Sequence, residues 1–286
     1  MIVITGAGGF LGHYVARELA GEKPLALTRS QLDVSRPESF DAIPDEPIEA
    51  FIHLAAVIPA KAADLKSDIF LRVNALGTFY ALEFCRRRGV PKFILATTMW
   101  EATGHSWLPI TETMGRRYAM AGDHTSYVIS KIAAAEYVEH YRREYGIQGI
   151  TLRMVGLLGY GRQPGAFEVF YEQAKRKQAL EVWGEHSAKR DSLYVKDAAR
   201  AVAAALRSPD AHGLYNISSG IGRTVQEEVK VFADIFDAPV VYRPEIPDKK
   251  HSYWFDNGKA ARELGWVPQY NYHDIVLDYD KEATCH

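Results

Sequence analysis

A group of glycines directly after an apolar run at the start of the chain most constrains the fold. Met1 to Thr5 predicts a buried strand, Gly6-Ala7-Gly8-Gly9-Phe10-Leu11-Gly12 follows it, and a helical pattern continues to about Ala20. Glycines let the backbone turn tightly and approach a diphosphate, and the start of the next helix offers free N–H groups. The spacing Gly6-x-x-Gly9-x-x-Gly12 is weak evidence in isolation. Its place between a strand and a helix predicts a dinucleotide-binding turn.

The rest of the chain alternates strand and helix patterns before it becomes less regular. Further strands are predicted at 25–28, 50–54, 92–98, 149–155 and 214–218. Helices are predicted at 68–88, 126–145, 167–177, 195–206 and 225–236. This alternation predicts an α/β fold, a doubly wound parallel sheet of the Rossmann type. We expect a cofactor domain over residues 1–156 and a smaller C-terminal substrate-binding lobe over 157–286, with some later elements returning to the sheet.

Composition excludes several classes of function. The net charge is −2, and the basic run Arg86-Arg87-Arg88 ends a predicted helix, so no nucleic-acid partner is expected. Only two cysteines occur, Cys85 and Cys285, which favours a reducing cytoplasm over a disulfide-stabilised protein. The chain opens with a strand, and no apolar run approaches the roughly 20 residues of a membrane span. The ten histidines form no metal-binding motif, and no Gly-x-Ser-x-Gly hydrolase motif is present.

Tyr127 and Lys131 are the candidate proton-transfer pair. They lie four residues apart in the predicted helix 126–145, so their side chains share a face. A tyrosine with an ordinary pKa of about 10 is a poor base at neutral pH. A neighbouring ammonium and a positively charged nicotinamide ring would lower that pKa, so Tyr127 could take a proton from an alcohol as hydride leaves.

The context of Tyr127 distinguishes it from a second pair with the same spacing. Tyr171 and Lys175 are also four residues apart, but they follow the predicted core sheet. Tyr127 instead follows a strand that ends in Thr97 and Thr98, at the sheet edge where ligands bind. We therefore predict that Tyr127 is functional and that Tyr171 is an ordinary helix residue.

The end of the second predicted strand bears on the choice of cofactor. Many NAD enzymes place an acidic residue there to bind the ribose 2′-hydroxyl, whereas this chain has Thr28 and Arg29. Arg29 could contact the 2′-phosphate of NADP or could be an exposed turn residue. Asp33 could accept a hydrogen bond from the adenine amino group. The cofactor is thus NAD or NADP, and Arg29 favours NADP.

These residues resemble the extended short-chain dehydrogenase/reductase family, and within it the NAD(P)-dependent nucleotide-sugar epimerases, dehydratases and reductases. The resemblance covers nearly the whole chain, including the motifs His53-Leu54-Ala55-Ala56, Asn74-Ala75-Leu76-Gly77-Thr78 and Tyr127-Val128-Ile129-Ser130-Lys131. It implies Thr98, or alternatively Thr97, as the catalytic hydroxyl beside Tyr127 and Lys131. The cofactor-binding residues that it implies are Gly6, Gly8, Gly9, Phe10, Leu11, Gly12, Thr28, Arg29, Asp33, Val34, Leu54, Ala55, Ala56, Asn74, Tyr127 and Lys131.

The C-terminal half carries the resemblance to nucleotide-sugar enzymes. The segment that begins Arg190-Asp191 resembles one whose arginine contacts the substrate diphosphate, although a surface ion pair between these two residues is the alternative. Gly156 stands where the family often has a substrate-contacting asparagine, so the usual sugar-binding mode is in question. Substrate contacts are thus expected from Thr98, Arg190 and the position of Gly156.

The resemblance implies an epimerase that removes and returns hydride at C4 of the sugar. An NADPH-dependent reductase of nucleotide 4-keto-sugars is the alternative, since residues 28–33 resemble that group. Dehydration is disfavoured because Met99-Trp100 replaces an acidic pair. A silent NAD(P)-binding sensor is the alternative from another class. The resemblance also implies a homodimer through helices 68–88 and 126–145, and residues 105–124 form either a substrate lid or a surface loop.

Overall fold

The computed structural model of the protein describes residues 1–59, 67–118, 124–184, 187–247 and 251–285. A six-stranded parallel sheet forms its centre, in the order β2-β1-β3-β4-β5-β9. The strands are β1 (Ile2–Thr5), β2 (Leu25–Leu27), β3 (Ala50–His53), β4 (Lys92–Thr98), β5 (Gln148–Met154) and β9 (Gly213–Ile217). The strand order reverses beside β1, which creates a crevice at the carboxyl ends of β1 and β3. The predicted α/β fold with a parallel Rossmann-type sheet is confirmed.

Helices cover both faces of this sheet. They are α1 (Phe10–Glu18), α2 (Asp68–Phe70), α3 (Gly77–Arg87), α4 (Thr125–Tyr145), α5 (Ala166–Lys175), α6 (Val195–Arg207), α7 (Val225–Phe236), α8 (Gly258–Leu264) and α9 (Tyr272–Thr284). A π-helical turn, Leu71–Leu76, joins α2 to α3. Helices α3 and α4 bury one face, whose core includes Phe51 and Phe93, and α1 and α6 pack on the other face. Strands buried on both faces explain the nearly continuous apolar runs in the sequence.

The C-terminal part builds two small parallel sheets beside the main one. Strand β6 (Gly156–Leu158) pairs with β8 (Ser192–Tyr194), and β7 (Leu180–Trp183) pairs with β10 (Val240–Arg243). Strand β9 comes from the same part of the chain but pairs with β5 in the main sheet. The domain boundary at residue 156 stays a prediction.

Backbone contacts connect the segment after β4 with the C-terminal part. Ile110 donates its N–H to the carbonyl of Trp254 (2.9 Å) and accepts from the N–H of Asp256 (2.9 Å). The Asn216 amide donates to the carbonyls of Ile110 and Asp256, both at 3.0 Å. No helix in the part of the chain that the structure describes is long and apolar enough to cross a lipid bilayer.

Candidate active site

The glycine turn packs against the backbone that follows β3. Gly6 has a φ of +75°, and a Cβ atom there would lie 2.5 Å from the Ala55 nitrogen. A Cβ atom on Gly12 would lie 2.1 Å from the carbonyl oxygen of Gly6. Gly9 is the N-cap residue of α1 and has no side chain to cap the first N–H groups of this helix. The turn therefore presents uncapped backbone donors to the crevice, as an anion site requires.

A cavity of about 480 Å³ lies against this turn. It is lined by Gly6, Gly8, Gly9, Thr28, Arg29, Ser30, Leu32, Asp33, Val34, Leu54, Ala55, Ala56, Val57 and Val73. Most of the predicted cofactor residues thus surround one cavity. Phe10 and Leu11 lie in the first turn of α1 beside it.

The lining matches the chemistry of a dinucleotide. The start of α1 suits the diphosphate, and the polar residues after β2 suit the adenosine. The Asp33 carboxylate accepts hydrogen bonds from the N–H (3.0 Å) and hydroxyl (2.7 Å) of Ser35, which fix its orientation. Arg29 is exposed at the rim, where it could contact a 2′-phosphate. The residues present fit either NAD or NADP.

Tyr127 and Thr98 meet at the end of β4. Both side chains are buried, and the Thr98 hydroxyl is near enough to the phenol to affect its pKa. Burial raises the pKa of Tyr127 to about 12, although the neighbouring Thr98 hydroxyl acts in the opposite direction. The sequence predicted that Lys131 would make this phenol more acidic; in the protein alone, desolvation outweighs such an effect. The phenol is therefore protonated at neutral pH and suited to donate a proton.

The position of Thr97 differs from that of Thr98. The Thr97 hydroxyl donates to Glu101 at 3.3 Å, so it is engaged away from the phenol. Thr98 also accepts a long hydrogen bond (3.4 Å) from the backbone N–H of Trp100, which fixes the turn after β4. Of the two predicted hydroxyl groups, Thr98 is the one beside Tyr127.

Lys131 lies one turn after Tyr127 in α4 and is 4% exposed. Burial lowers its pKa to about 8, and the charge of Glu101 raises it. The neighbouring Ser130 hydroxyl donates to the Tyr127 carbonyl (2.6 Å) and accepts from the Asn74 amide (3.1 Å). The helix around the candidate pair is therefore held by side-chain hydrogen bonds as well as by its backbone.

Asn74 links this helix to the wall of the cavity. Its amide donates to the carbonyl of Val57 (3.0 Å), and its Oδ1 accepts from the N–H of the same residue (2.8 Å). The residue lies in the π-helical turn between α2 and α3. Such turns are rare and occur often at functional sites. Asn74 therefore contacts the cofactor site indirectly, because it holds the backbone of Val57, which lines the cavity.

His53 belongs to one of the sequence motifs, but the sequence alone assigns it no role. Its Nδ1 lies 2.8 Å from the Thr5 hydroxyl, and its Nε2 is buried without a hydrogen-bond partner among the described residues. Burial, together with the charge of Lys131, lowers its pKa to about 3. His53 is therefore neutral and adds no charge beside Lys131. The sequence signal that could have identified His53 is its position as a polar residue at the end of a buried strand.

Glu101 is a second residue that the sequence did not single out. It is fully buried, and its Oε1 accepts from Nε of Arg153 at 2.7 Å. Arg153 also donates to Oδ1 of Asn216 (3.1 Å), and the guanidinium of Arg116 lies 3.9 Å from the Glu101 carboxylate. A negative charge near Tyr127 and Lys131 is thus paired inside the protein.

Of the predicted substrate residues, Thr98 ends β4, whereas Gly156 and Arg190 lie in the C-terminal part. Asp191 is buried, and its carboxylate accepts from Ser219 and from the N–H of Phe255, so it is not the exposed partner that a surface ion pair with Arg190 requires. A Cβ atom on Gly156 would approach only the Asp191 carbonyl, at 3.8 Å. A Cβ atom would therefore be tolerated at this position, and backbone crowding does not require the glycine.

The predicted lid is only partly described. Trp107 is 80% exposed, and backbone hydrogen bonds of Ile110 hold this segment to the C-terminal part. Residues 119–123 lie outside the described residues, and the choice between lid and loop stays open. Within the described ranges, no group of three histidine, cysteine or acidic side chains could hold a metal ion.

Comparisons with known proteins identify the family. The chain is 26% identical to a "Putative UDP-glucose 4-epimerase" of Methanocaldococcus jannaschii, over 94% of this chain and 93% of the relative. It is 21% identical to the "dTDP-4-dehydro-6-deoxyglucose reductase" of Escherichia coli, over 99% of this chain and 98% of that relative. The structure of a UDP-N-acetylglucosamine 4-epimerase from Bacillus cereus matches with a TM-score of 0.85 and 25% identity, over 99% of this chain and 96% of that one. The model of the NAD dependent epimerase/dehydratase family matches residues 2–218, and the chain therefore belongs to this family of extended short-chain dehydrogenase/reductase enzymes.

Proposed function

We propose that the protein is an NAD(P)-dependent nucleotide-sugar epimerase that acts at C4 of the sugar. The observation that carries the proposal is that Thr98, Tyr127 and Lys131 are buried together, and that Val57 packs against the Tyr127 cluster while it also lines the glycine-turn cavity. The names of the epimerase relatives support the substrate class. Glycine at position 156, in place of the family's asparagine, is compatible with a sugar held differently from the usual mode.

The reaction requires a proton and a hydride to move together. When bound, the nicotinamide supplies the hydride acceptor and donor. In its phenolate form, Tyr127 takes the proton of the C4 hydroxyl as the C4–H bond breaks, and the alcohol becomes a ketone. Tyr127 then returns the proton to the ketone oxygen as hydride is added to the opposite face. Thr98 orients the reacting oxygen through its contact with the phenol.

Lys131 supplies the positive charge that this cycle needs. Its pKa of about 8 leaves the ammonium mostly protonated at neutral pH despite burial. An ammonium near the phenol stabilises the phenolate that must form when Tyr127 acts as a base. The family resemblance implies that the same ammonium also donates to the nicotinamide ribose. Burial of both side chains keeps water from competing for the proton.

A 4-keto-sugar reductase is the second candidate. It is favoured by Arg29, which lines the cavity where a 2′-phosphate would lie and thus supports NADPH as the cofactor. A reductase would use Tyr127 only as a proton donor, which suits its raised pKa. A catalytically silent sensor would not need Thr98, Tyr127 and Lys131 together at this site.

We also infer a homodimer in a reducing cytoplasmic compartment. Helix α4 exposes Ile129, Tyr137 and Tyr145, which are 50%, 39% and 50% accessible. Apolar side chains along a helix favour burial against a second copy. Light scattering that gave a monomer at micromolar concentration would contradict the dimer.

The free cysteines Cys85 and Cys285 suit a reducing compartment.

The deciding experiment compares two tyrosines. We expect Tyr127→Phe to lower epimerisation of UDP-glucose by about 10²- to 10⁴-fold while binding of NAD(P) persists, because only the proton carrier is lost. Tyr171→Phe is the matched control, since Tyr171 is also buried and followed by a lysine four residues later, but bonds Asp280 (2.8 Å). Chromatography of the sugar nucleotides measures the product.

The same assay separates the alternatives. An epimerase converts UDP-glucose without added reductant, whereas a reductase consumes NADPH in proportion to a 4-keto-sugar nucleotide such as dTDP-4-dehydro-6-deoxyglucose. Full activity of Tyr127→Phe in either reaction would refute the proposed role of the phenol. If wild-type protein binds its cofactor but converts neither substrate, that result would support the interpretation as a silent sensor.

A further inference from the structure

A row of polar side chains crosses three neighbouring strands of the main sheet. Thr97 on β4, Arg153 on β5 and Asn216 on β9 are paired in register, and Arg153 donates to Oδ1 of Asn216 at 3.1 Å. Residues paired in this way point to the same face of a sheet. That face is the one covered by α4, because Leu95, two residues before Thr97, packs in the core to which α4 contributes.

Glu101 joins this row from the end of the 3₁₀ turn Met99–Glu101, which follows β4. One of its carboxylate oxygens accepts from Nε of Arg153 (2.7 Å), and the other accepts from the Thr97 hydroxyl (3.3 Å). The turn packs against α4. A fully buried negative charge is therefore held in one orientation against the helix that carries the candidate proton-transfer pair.

The charged and titratable groups around Lys131 lie on three elements. Burial lowers the pKa of Lys131 to about 8, and the charge of Glu101, in the turn after β4, raises it. His53, at the end of β3, has a pKa of about 3 and is neutral. Burial raises the pKa of Tyr127, on α4 itself, to about 12, and Glu101 raises it further. Glu101 thus favours the protonated form of both members of the pair.

We propose that Glu101 is a positioning residue that sets the pH range of the reaction, because its buried carboxylate keeps Lys131 charged and Tyr127 protonated. The inference rests on the proposed function and extends it, since the sequence motifs gave Glu101 no part in the site. The carboxylate acts on both groups through its charge, because Arg153 and Thr97 occupy its two oxygens. Removal of that charge should therefore move both titrations to lower pH.

Two measurements on the purified protein test this role. The first is an NMR titration of ¹³C-labelled lysine side chains, in which Lys131→Met identifies the Lys131 signal. Glu101→Gln should lower the midpoint of this signal by about one pH unit, because a nearby buried negative charge is lost. The second is the pH profile of the epimerisation rate. Glu101→Gln should move the whole profile to lower pH, whereas a merely structural defect would reduce only its maximum.

Two control variants separate charge from packing. Glu101→Asp keeps the negative charge but shortens the side chain, so the Lys131 midpoint should stay within about 0.3 pH unit of that in wild-type protein. Glu139→Gln removes another carboxylate from α4, one that accepts from Nε of Arg142 at 2.8 Å, and should leave the midpoint in place. Circular dichroism at each pH reports whether every variant is folded.

An unmoved Lys131 midpoint in Glu101→Gln, or an equal shift in Glu101→Asp, would overturn the inference. So would an unmoved pH profile in active Glu101→Gln protein. If Glu101→Gln does not fold, Arg116→Gln replaces it, because this guanidinium lies 3.9 Å from the Glu101 carboxylate. Its removal should raise the midpoint by about 0.3 pH unit, and an unmoved midpoint would again overturn the inference.

The proposed function can fail separately from this inference. Wild-type protein that converts no sugar nucleotide, but whose Lys131 signal shifts as expected in Glu101→Gln, would refute the proposed function and leave the action of Glu101 on Lys131 intact.

Discussion

The pairing of Glu101 with Arg153 allows a stability prediction with a stated size. Both side chains are at most 1% exposed, and Glu101→Gln leaves the guanidinium buried with one neutral amide in place of the carboxylate. Breaking a buried ion pair on one side costs about 3–5 kcal/mol, because the remaining charge stays desolvated. With an unfolding entropy of about 2 cal/mol/K per residue, this loss lowers the Tm of a chain of this length by about 5–8 °C.

Urea unfolding followed by tryptophan fluorescence and circular dichroism measures this loss. Arg153→Met combined with Glu101→Leu removes both charges and should recover most of the stability, since apolar residues can replace a buried pair at little cost. Glu172→Gln is the matched control. It breaks an exposed pair with Arg176 in α5 and should cost less than about 0.5 kcal/mol.

Two results would refute this reasoning. One is a loss below about 1 kcal/mol for Glu101→Gln, which would mean that water or another group solvates Arg153. The other is that the loss of stability in the double variant equals the sum of the losses for Arg153→Met and Glu101→Leu alone, which would mean that the two side chains do not interact. Either result would remove the case for a paired charge beneath Tyr127 and Lys131.

Three further predictions concern the cofactor site. Gly12→Ala should weaken NADH binding, measured by fluorescence titration, by at least about tenfold, because its Cβ would lie 2.1 Å from the Gly6 carbonyl; unchanged affinity would contradict the turn geometry. Arg29→Gln should weaken NADPH binding by about tenfold and spare NADH, and equal losses for both would show that Arg29 does not contact the 2′-phosphate. Burial lowers the pKa of Lys131 from 10.5 to about 8, so the unfolded chain binds more protons between these values. The unfolding free energy should therefore rise over that pH range relative to Lys131→Met, and parallel urea curves for the two proteins would refute it.

The sheet and the glycine turn were predictable because their evidence is local. Each central strand is a short run of apolar residues buried on both faces, and a glycine group next to such a run has few other uses. The position of Thr98 beside Tyr127 followed from the same logic, since parallel strands end at one edge. The roles of these residues in catalysis stay predictions.

Features that depend on distant residues could not be predicted. Strands β6, β7, β8 and β10 have three or four residues each and pair only in two small sheets, with partners that are distant in the sequence. Glu101 and Arg153 are 52 positions apart, so nothing in the sequence indicates that they pair. The pKa of Tyr127 was expected to fall, because spacing shows the neighbouring lysine but not the extent of burial.

The hydrogen bonds around Ile110 have a consequence for protein engineering. The loop that contains Ile110 and the segment that contains Trp254 and Asp256 share backbone bonds, and Asn216 bridges both. A loop grafted from a relative to alter sugar selectivity would lose these bonds unless its C-terminal counterpart were transplanted with it. The two stretches should therefore be treated as one exchangeable cassette when chimaeras of this family are designed.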